Sequence, residues 1–541
     1  MDTLVECVPN FSTCDATVIA AISEAIKASP GVSLLDVDPG TSTNRTVVTF
    51  VGTVDTIIPG ALAAAKAAMP LIDMSTHKGE HPRFGAMDVC PFVPVRNVTM
   101  EDCADLAREM GKRLAEQNKV PVYLYGAAGT SEDRRRLPDI RQKALGEYEG
   151  IGANIANFPP DFGPAELVPS WGATAVGARK FLIAYNINLL GTKEQAMHIA
   201  FNVREKGRGG GDVPRPGRFK EVAGIGWFVD EYNMSQISVN CTDYEVTNIH
   251  TVYESCKDDA IRLGLAVVGS ELVGLVPLAC FMDIAAYYME RDNLFLPDER
   301  QRVALVVDRL GLNSVKHFDP DQMIIDYKCK VKDPPLMSMT VKEFVGILGA
   351  RTSAPGGGSA SALVAAMGSG LGSMMGWMTY GNVKFRDLDA EMRRAIGPLC
   401  AATDRLLYRI DADTDAFGDY MTAIRMPKGT EEEKKVREEA MQDGLKVAID
   451  VPLETMKIAD TCWDWMVELA TVGNINCKSD LQVGARCLEV GIWGCWKNVE
   501  INMKDITDAA YIERVSKEAK ELWERADLKS KQVLELMDKR D

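Results

Sequence analysis

Two adjacent prolines, Pro334 and Pro335, divide the chain into stretches whose apolar residues follow different periods, and that change limits the possible folds more than any other feature. Before the prolines, short β-branched runs alternate with helix-like stripes. After them the period is helical almost throughout. Val331 to Ser338 therefore reads as a linker, because tandem prolines stop structure on both sides.

In the first stretch, periodicity predicts strands over Leu4 to Val8, Val32 to Val37, Arg45 to Val51, Val89 to Val95 and Val120 to Tyr125. Helices are expected over Thr17 to Ala28, over Ile57 to Ala68, and after a capping box formed by Thr99 and Asp102. The order β-α-β-β-α-β is the ferredoxin-like split pattern. It recurs as a strand over Phe181 to Leu189, a helix over Lys193 to Arg204, strands over Val222 to Val229 and Gln236 to Cys241, a helix over Thr247 to Leu263 and a strand over Ala266 to Val268. The expected fold is two ferredoxin-like α/β subdomains (βαββαβ) followed by an all-α helical bundle. Their boundaries are 1–180, 181–329, a linker at 330–337, and 338–541. A stiff connector, Phe158 to Pro164, lies between the subdomains, and paired subdomains are a natural place for a ligand cleft.

A formal charge of −16 argues against a nucleic-acid binder or a polybasic membrane-surface protein. The amino terminus lacks the basic and then apolar run of a signal peptide, so a cytoplasmic location is expected. Thirteen cysteines without a C-x-x-C pair read as reduced packing residues. Ser359 to Tyr380 is free of charge but crowded with Gly, Ser and Ala. Its Gly368, Gly372 and Gly376 predict a helix closely approached by a neighbour in a soluble bundle, and no membrane span is expected. The last helix, with Ile512, Val515, Ala519, Leu522 and Ala526 on one face, packs either internally or on another subunit.

Three regions carry chemistry. His77 to Asp88 spells H-x-x-E-H through His77, Glu80 and His81, the pattern of an inverted zinc peptidase, but Gly79 and Pro82 disfavour the helix on which two such histidines would converge. A rigid loop presenting one imidazole beside an acid and an arginine suits general acid/base work better. Arg204 to Lys220, with Arg204, Lys206, Arg208, Arg215, Arg218 and Lys220, is a candidate anion site in an acidic chain. In the helical half, Asp413 falls at the edge of an apolar face with Leu406, Ile410 and Phe417. Asp411 and Asp415 point away and read as solvated. A carboxyl group among apolar neighbours has a raised pKa, as an acid catalyst near neutral pH needs. Ala354 to Ser359 offers helix-terminal amides to an anion, and Ser479 and Gln482 have capping-box spacing.

Taken together, Leu4 to Ser12, Ser42 to Val47, His77 to Asp88, Val168 to Ala173, Ala354 to Ser359 and Asp411 to Asp413 resemble the bifunctional formiminotransferase-cyclodeaminase family over essentially the whole chain. The resemblance implies a folate enzyme of histidine degradation. It would move a formimino group from N-formimino-L-glutamate to tetrahydrofolate, then close 5-formiminotetrahydrofolate to 5,10-methenyltetrahydrofolate with release of ammonia. It also implies a homo-octamer, channelling of a polyglutamylated folate, and no metal or redox cofactor. By motif, the transferase acid/base residue falls on His81 and an orienting or proton-relaying acid on Asp38, and the cyclodeaminase carboxylate falls on Asp413. The folate-binding segment falls on Gly163, Pro164, Val168, Pro169, Ser170, Trp171 and Gly172, with Ala165, Glu166 and Leu167 as this chain's own variation. Arg204 and Arg208 are candidates for the polyglutamate tail.

Overall fold

The computed structural model describes residues 3–40, 44–79, 83–209, 215–329 and 335–540. The chain forms two compact units, Met1–Lys330 and Val331–Asp541.

The first unit begins with a seven-stranded mixed sheet of β1 (Leu4–Cys7), β2 (Asn10–Phe11), β3 (Val32–Gly40), β4 (Arg45–Gly52), β5 (Met87–Arg96), β6 (Val122–Gly126) and β7 (Thr174–Ala178). Helices α1 (Ala16–Lys27), α2 (Ile57–Ala68) and α3 (Met100–Asn118) share a buried core with one face of it, through Ile22, Ile26, Ala61, Ala65, Ala107 and Leu114 against Val48, Phe50 and Phe92. The capping box at Thr99 and Asp102 is present and opens α3. Periodicity did not anticipate β7, which inserts in parallel between β5 and β6. Its five residues, Thr-Ala-Val-Gly-Ala, carry little strand propensity, and two parallel neighbours impose the conformation. The proline-rich connector is not a free spacer. Asp161 accepts from the Leu124 amide at 2.8 Å and pairs with Arg134, whose guanidinium lies over the Phe158 ring, so the segment is fixed along β6. Helix α4 (Glu147–Asn154) follows a single π-helical turn, Asp139–Ala144.

A four-stranded antiparallel sheet of β8 (Ile183–Leu190), β9 (Val222–Val229), β10 (Met234–Cys241) and β11 (Ala266–Val273) has the order β11-β8-β10-β9. Tyr185, Ile187, Ile237 and Val239 turn one face towards α5 (Lys193–Val203) and α6 (Ile249–Arg262). Asn186, Asn188 and Gln236 project from the other face, where the Gln236 amide donates to Asn188 Oδ1 at 2.9 Å. Helices α7 (Leu278–Arg291) and α8 (Glu299–Arg309) and the short α9 (Pro320–Met323) and α10 (Ile325–Lys328) complete the unit.

The second unit contains α11 (Val341–Leu348), α12 (Gly357–Thr379), α13 (Asp389–Ile424), α14 (Glu431–Asp460), α15 (Trp463–Val472), α16 (Lys478–Asn502) and α17 (Ala509–Asp538). Glycines let α12 sit deep among its neighbours: a Cβ at Gly368 would lie 2.7 Å from the Gly484 carbonyl of α16. Each such glycine costs about 1 kcal/mol of helix propensity, which close backbone packing offsets. The apolar stripe of α17 packs internally, with Val515, Ala519 and Ala526 fully buried. One local expectation fails. Ser479 does not cap α16, because a 3₁₀ turn at Ile475–Cys477 runs straight into the helix and places Ser479 inside its first turn. The expected linker over 330–337 is described from Pro335 onward, and there Leu336 is buried against Phe344, Ala362 and Ile410. Among the described residues no helix is long and apolar enough to cross a membrane.

Candidate active sites

Glu80, His81 and Pro82 lie outside the described residues, whereas the segments before and after them are described. His77 hydrogen-bonds through Nε2 to the Asn44 carbonyl at 2.9 Å, and Asn44 donates in turn to the Lys78 carbonyl at 2.8 Å. Arg83 donates to the His77 carbonyl, pairs with Glu149 and lies over the Tyr148 ring. The loop's two sides are thus tied to the sheet at one end and to α4 at the other. Asp38 is exposed on β3, opposite Val47 of β4 and one pleat from Arg45, so these two charged residues share a sheet face. Among the described residues no group of three His, Cys, Asp or Glu converges as metal ligands.

The structure brings the His77 to Asp88 block against the proposed folate segment. Gly85 bridges Gly172, the Ala86 amide donates to the Trp171 carbonyl at 2.7 Å, and Met74 donates to the Ser170 carbonyl at 2.9 Å. Gly163 and Gly172 have φ of +88° and +78°, values that favour glycine. A Cβ at either would collide with the Val120 or the Phe84 carbonyl. Their glycines are therefore required by packing. Trp171 is fully buried, with its indole N–H on Thr174 Oγ1 at 2.9 Å. Pro164 and Val168 are half-buried, and Val168 accepts the Gly172 amide through its carbonyl. Pro169 and Ser170 are exposed, and the Tyr148 hydroxyl holds the Pro169 carbonyl at 2.6 Å. Of the folate-segment residues expected to bind, Gly163, Pro169 and Ser170 are the exposed ones.

The basic stretch is more committed than its composition suggested. Arg218 pairs with buried Asp259, and Arg204 donates to the Gly207 and Gly224 carbonyls at 2.9 and 3.0 Å. Arg208 is exposed, contacts His198 Nδ1 at 2.9 Å and lies over Phe201. With Lys193 these residues line an open concavity of about 470 Å³.

In the second unit, Asp413 lies two-thirds of the way along α13 and points at the start of α12. Its Oδ2 accepts from the Ser359 amide at 2.9 Å and the Ser359 hydroxyl at 3.1 Å. The helix terminus expected to receive a ligand anion is thus occupied by the protein's own carboxylate. Burial pushes the Asp413 carboxyl above the usual carboxylate range, and the two Ser359 bonds pull it partly back. Burial also pushes the Cys495 thiol up, and the Asp413 charge adds to it. Asp411 is not solvated: it is buried and accepts from the Leu336 and Met337 amides at 2.7 and 2.9 Å, anchoring the start of the unit. The helical wheel misjudged it because the covering residues come from 75 positions earlier. Asp415 is exposed.

Reasoning from pattern also passed over the Asp88 carboxylate, which is 1% exposed and bonded by Arg45 and Arg141. The signal available was an Asp inside an otherwise apolar strand, Met87 to Val95.

Family models describe three consecutive parts of the chain. Residues 4–179 match the formiminotransferase domain's N-terminal subdomain, 184–330 the formiminotransferase domain, and 340–521 formiminotransferase-cyclodeaminase. A formimidoyltransferase-cyclodeaminase of Dictyostelium discoideum is 53% identical over 546 residues, covering all of both chains. One of Rattus norvegicus is 51% identical, over 99% of this chain and 98% of that one. A glutamate formimidoyltransferase of Thermoplasma acidophilum is 43% identical over 291 residues, 53% of this chain and 92% of its own.

Proposed function

The chain belongs to the formimidoyltransferase-cyclodeaminase family, and on that premise we propose how its two units divide the chemistry. The protein is a bifunctional enzyme of histidine degradation. It transfers the formimino group of N-formimino-L-glutamate to tetrahydrofolate, then cyclises 5-formiminotetrahydrofolate to 5,10-methenyltetrahydrofolate and ammonia. Family membership retires the zinc-peptidase reading of His77, Glu80 and His81, and His77 already spends its Nε2 on a backbone carbonyl.

In the first unit, N5 of tetrahydrofolate attacks the formimino carbon. The N5 proton must leave and the glutamate nitrogen must gain one as its bond to carbon breaks. His81 takes the first proton and returns it to the second nitrogen, the task of one imidazole changing roles near neutral pH. Asp38, on the sheet face it shares with Arg45, orients the cationic formimino group. The 163–172 segment supports the folate beside the His77 to Asp88 block, with Gly163, Pro169 and Ser170 exposed.

In the second unit, N10 attacks the formimino carbon of 5-formiminotetrahydrofolate. Protonated Asp413 supplies the proton with which ammonia departs, and the resulting carboxylate takes the N10 proton as the methenyl cation forms, which restores the acid. The observation that carries this reading is the raised Asp413 carboxyl, held by α13 against Ser359 at the start of α12. The folate is polyglutamylated, its tail anions meet Arg208 and Lys193, and the assembly is a homo-octamer acting in the cytoplasm without a metal.

Absorbance at the methenyl-folate band, followed with N-formiminoglutamate and tetrahydrofolate, tests the coupled reaction. Arg208→Ala is expected to raise the KM for a pentaglutamate folate several-fold more than that for the monoglutamate. An equal rise for both would remove the tail from that concavity.

A further inference from the structure

Resting on the formimino-transfer reading, we infer that Glu6 and Thr49 recognise the pterin ring of tetrahydrofolate, Glu6 accepting from its 2-amino and N3 protons and Thr49 donating to its 4-oxo group. Glu6 is 4% exposed and Thr49 8%, and among the described residues neither side chain has a hydrogen-bond or ion-pair partner.

A buried carboxylate without a partner is strongly unfavourable, and the other buried carboxylates among the described residues avoid that condition. Asp88, Asp259 and Glu271 pair with arginine or lysine, and Asp411 accepts two backbone amides. Around Glu6, burial raises the carboxyl and the Arg179 charge opposes the rise, yet the Arg179 guanidinium donates to the Lys180 carbonyl at 3.0 Å. A ligand that presents two parallel N–H donors supplies what the protein withholds from Glu6.

Both side chains stand on the sheet face that carries Asp38. Glu6 of β1 lies opposite Val51 of β4, and Thr49 is the next residue of β4 on that face. Asp36 and Asp38 of β3 lie opposite Thr49 and Val47. Accessibility falls along this row, from exposed Asp38 through half-buried Val47 and Asp36 to buried Thr49 and Glu6. Four residues of β4, from Val47 to Val51, separate the level of Asp38 from that of Glu6, about 13 Å along the strand. A pterin ring carrying a formimino group on N5 spans that length. N5 lies on the edge of the ring away from the 2-amino group, so a ring anchored at Glu6 turns N5 towards Asp38. The formimino group is itself a pair of N–H donors, but Asp38 orients it at the accessible end of the row, which leaves Glu6 for the pterin.

The test compares formimino transfer by the full-length wild-type, Glu6→Gln and Thr49→Val enzymes on tetrahydrofolate and on 2-desaminotetrahydrofolate, which lacks the 2-amino donor. Glu6→Gln replaces an acceptor with a donor and is expected to raise the KM for tetrahydrofolate about 10- to 100-fold, the loss of a charge-assisted hydrogen bond. The KM for N-formiminoglutamate and the cyclisation of supplied 5-formiminotetrahydrofolate should not change. With the wild-type enzyme the desamino analogue should carry a penalty of similar size, to which Glu6→Gln adds nothing further. Thr49→Val should raise the KM for tetrahydrofolate several-fold. An unchanged tetrahydrofolate KM in Glu6→Gln, or a wild-type enzyme indifferent to the missing 2-amino group, would overturn the inference and make Glu6 structural. A rise confined to the KM for N-formiminoglutamate would overturn it in favour of the amino-acid substrate. A wild-type enzyme inactive in transfer from N-formiminoglutamate to tetrahydrofolate would instead refute the reading beneath it.

Discussion

Gly358 is the tightest constraint on the cyclodeaminase site. A Cβ placed there would lie 1.9 Å from Asp413 Oδ1, 2.4 Å from its Cγ and 2.6 Å from Oδ2. Carbon and oxygen need roughly 3.3 Å or more, so Gly358→Ala must push the carboxylate away by more than an ångström or tilt the first turn of α12. Helix propensity alone would make the alanine favourable by about 1 kcal/mol, and relief of the clash costs about 1–3 kcal/mol. The stability of the unit therefore changes little. Activity is far more sensitive, since a displacement of about 1 Å is worth about 100-fold in rate. We expect cyclisation of supplied 5-formiminotetrahydrofolate to fall about 100-fold or more, with formimino transfer at the wild-type rate and Tm within a few degrees. Normal cyclisation by a folded Gly358→Ala enzyme would refute the argument that Asp413 acts from its position against Ser359.

Two further outcomes follow from buried carboxylates. Burial raises the Glu6 carboxyl to about 7, opposed by Arg179. Its folded pKa exceeds its unfolded value of 4.5, so the associated stability is fully present below pH 4.5 and is lost as pH rises through about 7. Glu6→Gln should be about 3 kcal/mol more stable than wild type at pH 8.5, with the difference vanishing near pH 4. Urea unfolding of the first unit checks it, and a constant difference across that range would exclude Glu6 titration. Asp411→Ala strands the Leu336 and Met337 amides and should cost about 3 kcal/mol. Thermal inactivation of cyclisation should then come at lower temperature than that of formimino transfer, and unchanged inactivation would mean the anchor is dispensable.

How far the sequence disclosed this molecule depended on the range of the interactions involved. The helical stripe of α17 and the Thr99 capping box are set by neighbours three and four residues apart, and both were legible. The raised Asp413 carboxyl was legible for a similar reason, since an acid at the edge of an apolar face is half-desolvated wherever that face packs. Strand β7 was hidden because its small residues become a strand only between two parallel neighbours brought from 86 and 52 residues away. The same holds for Asp411, covered by backbone from 75 positions earlier, and for Asp88, whose two arginines lie 43 and 53 residues away in opposite directions. Gly163 and Gly172 looked like contacts to a ligand, and positive φ angles with carbonyls at their α-carbons explain them locally.

The central claim is that transfer and cyclisation have separate acid/base groups, His81 in the first unit and Asp413 in the second. The most direct measurement pairs His81→Ala with Asp413→Asn and follows methenyl-folate absorbance from either starting point. His81→Ala should fail with N-formiminoglutamate and tetrahydrofolate yet cyclise supplied 5-formiminotetrahydrofolate normally, while Asp413→Asn should accumulate 5-formiminotetrahydrofolate and form no methenyl product. Loss of both reactions in either folded variant, or near-normal cyclisation by Asp413→Asn, would contradict it.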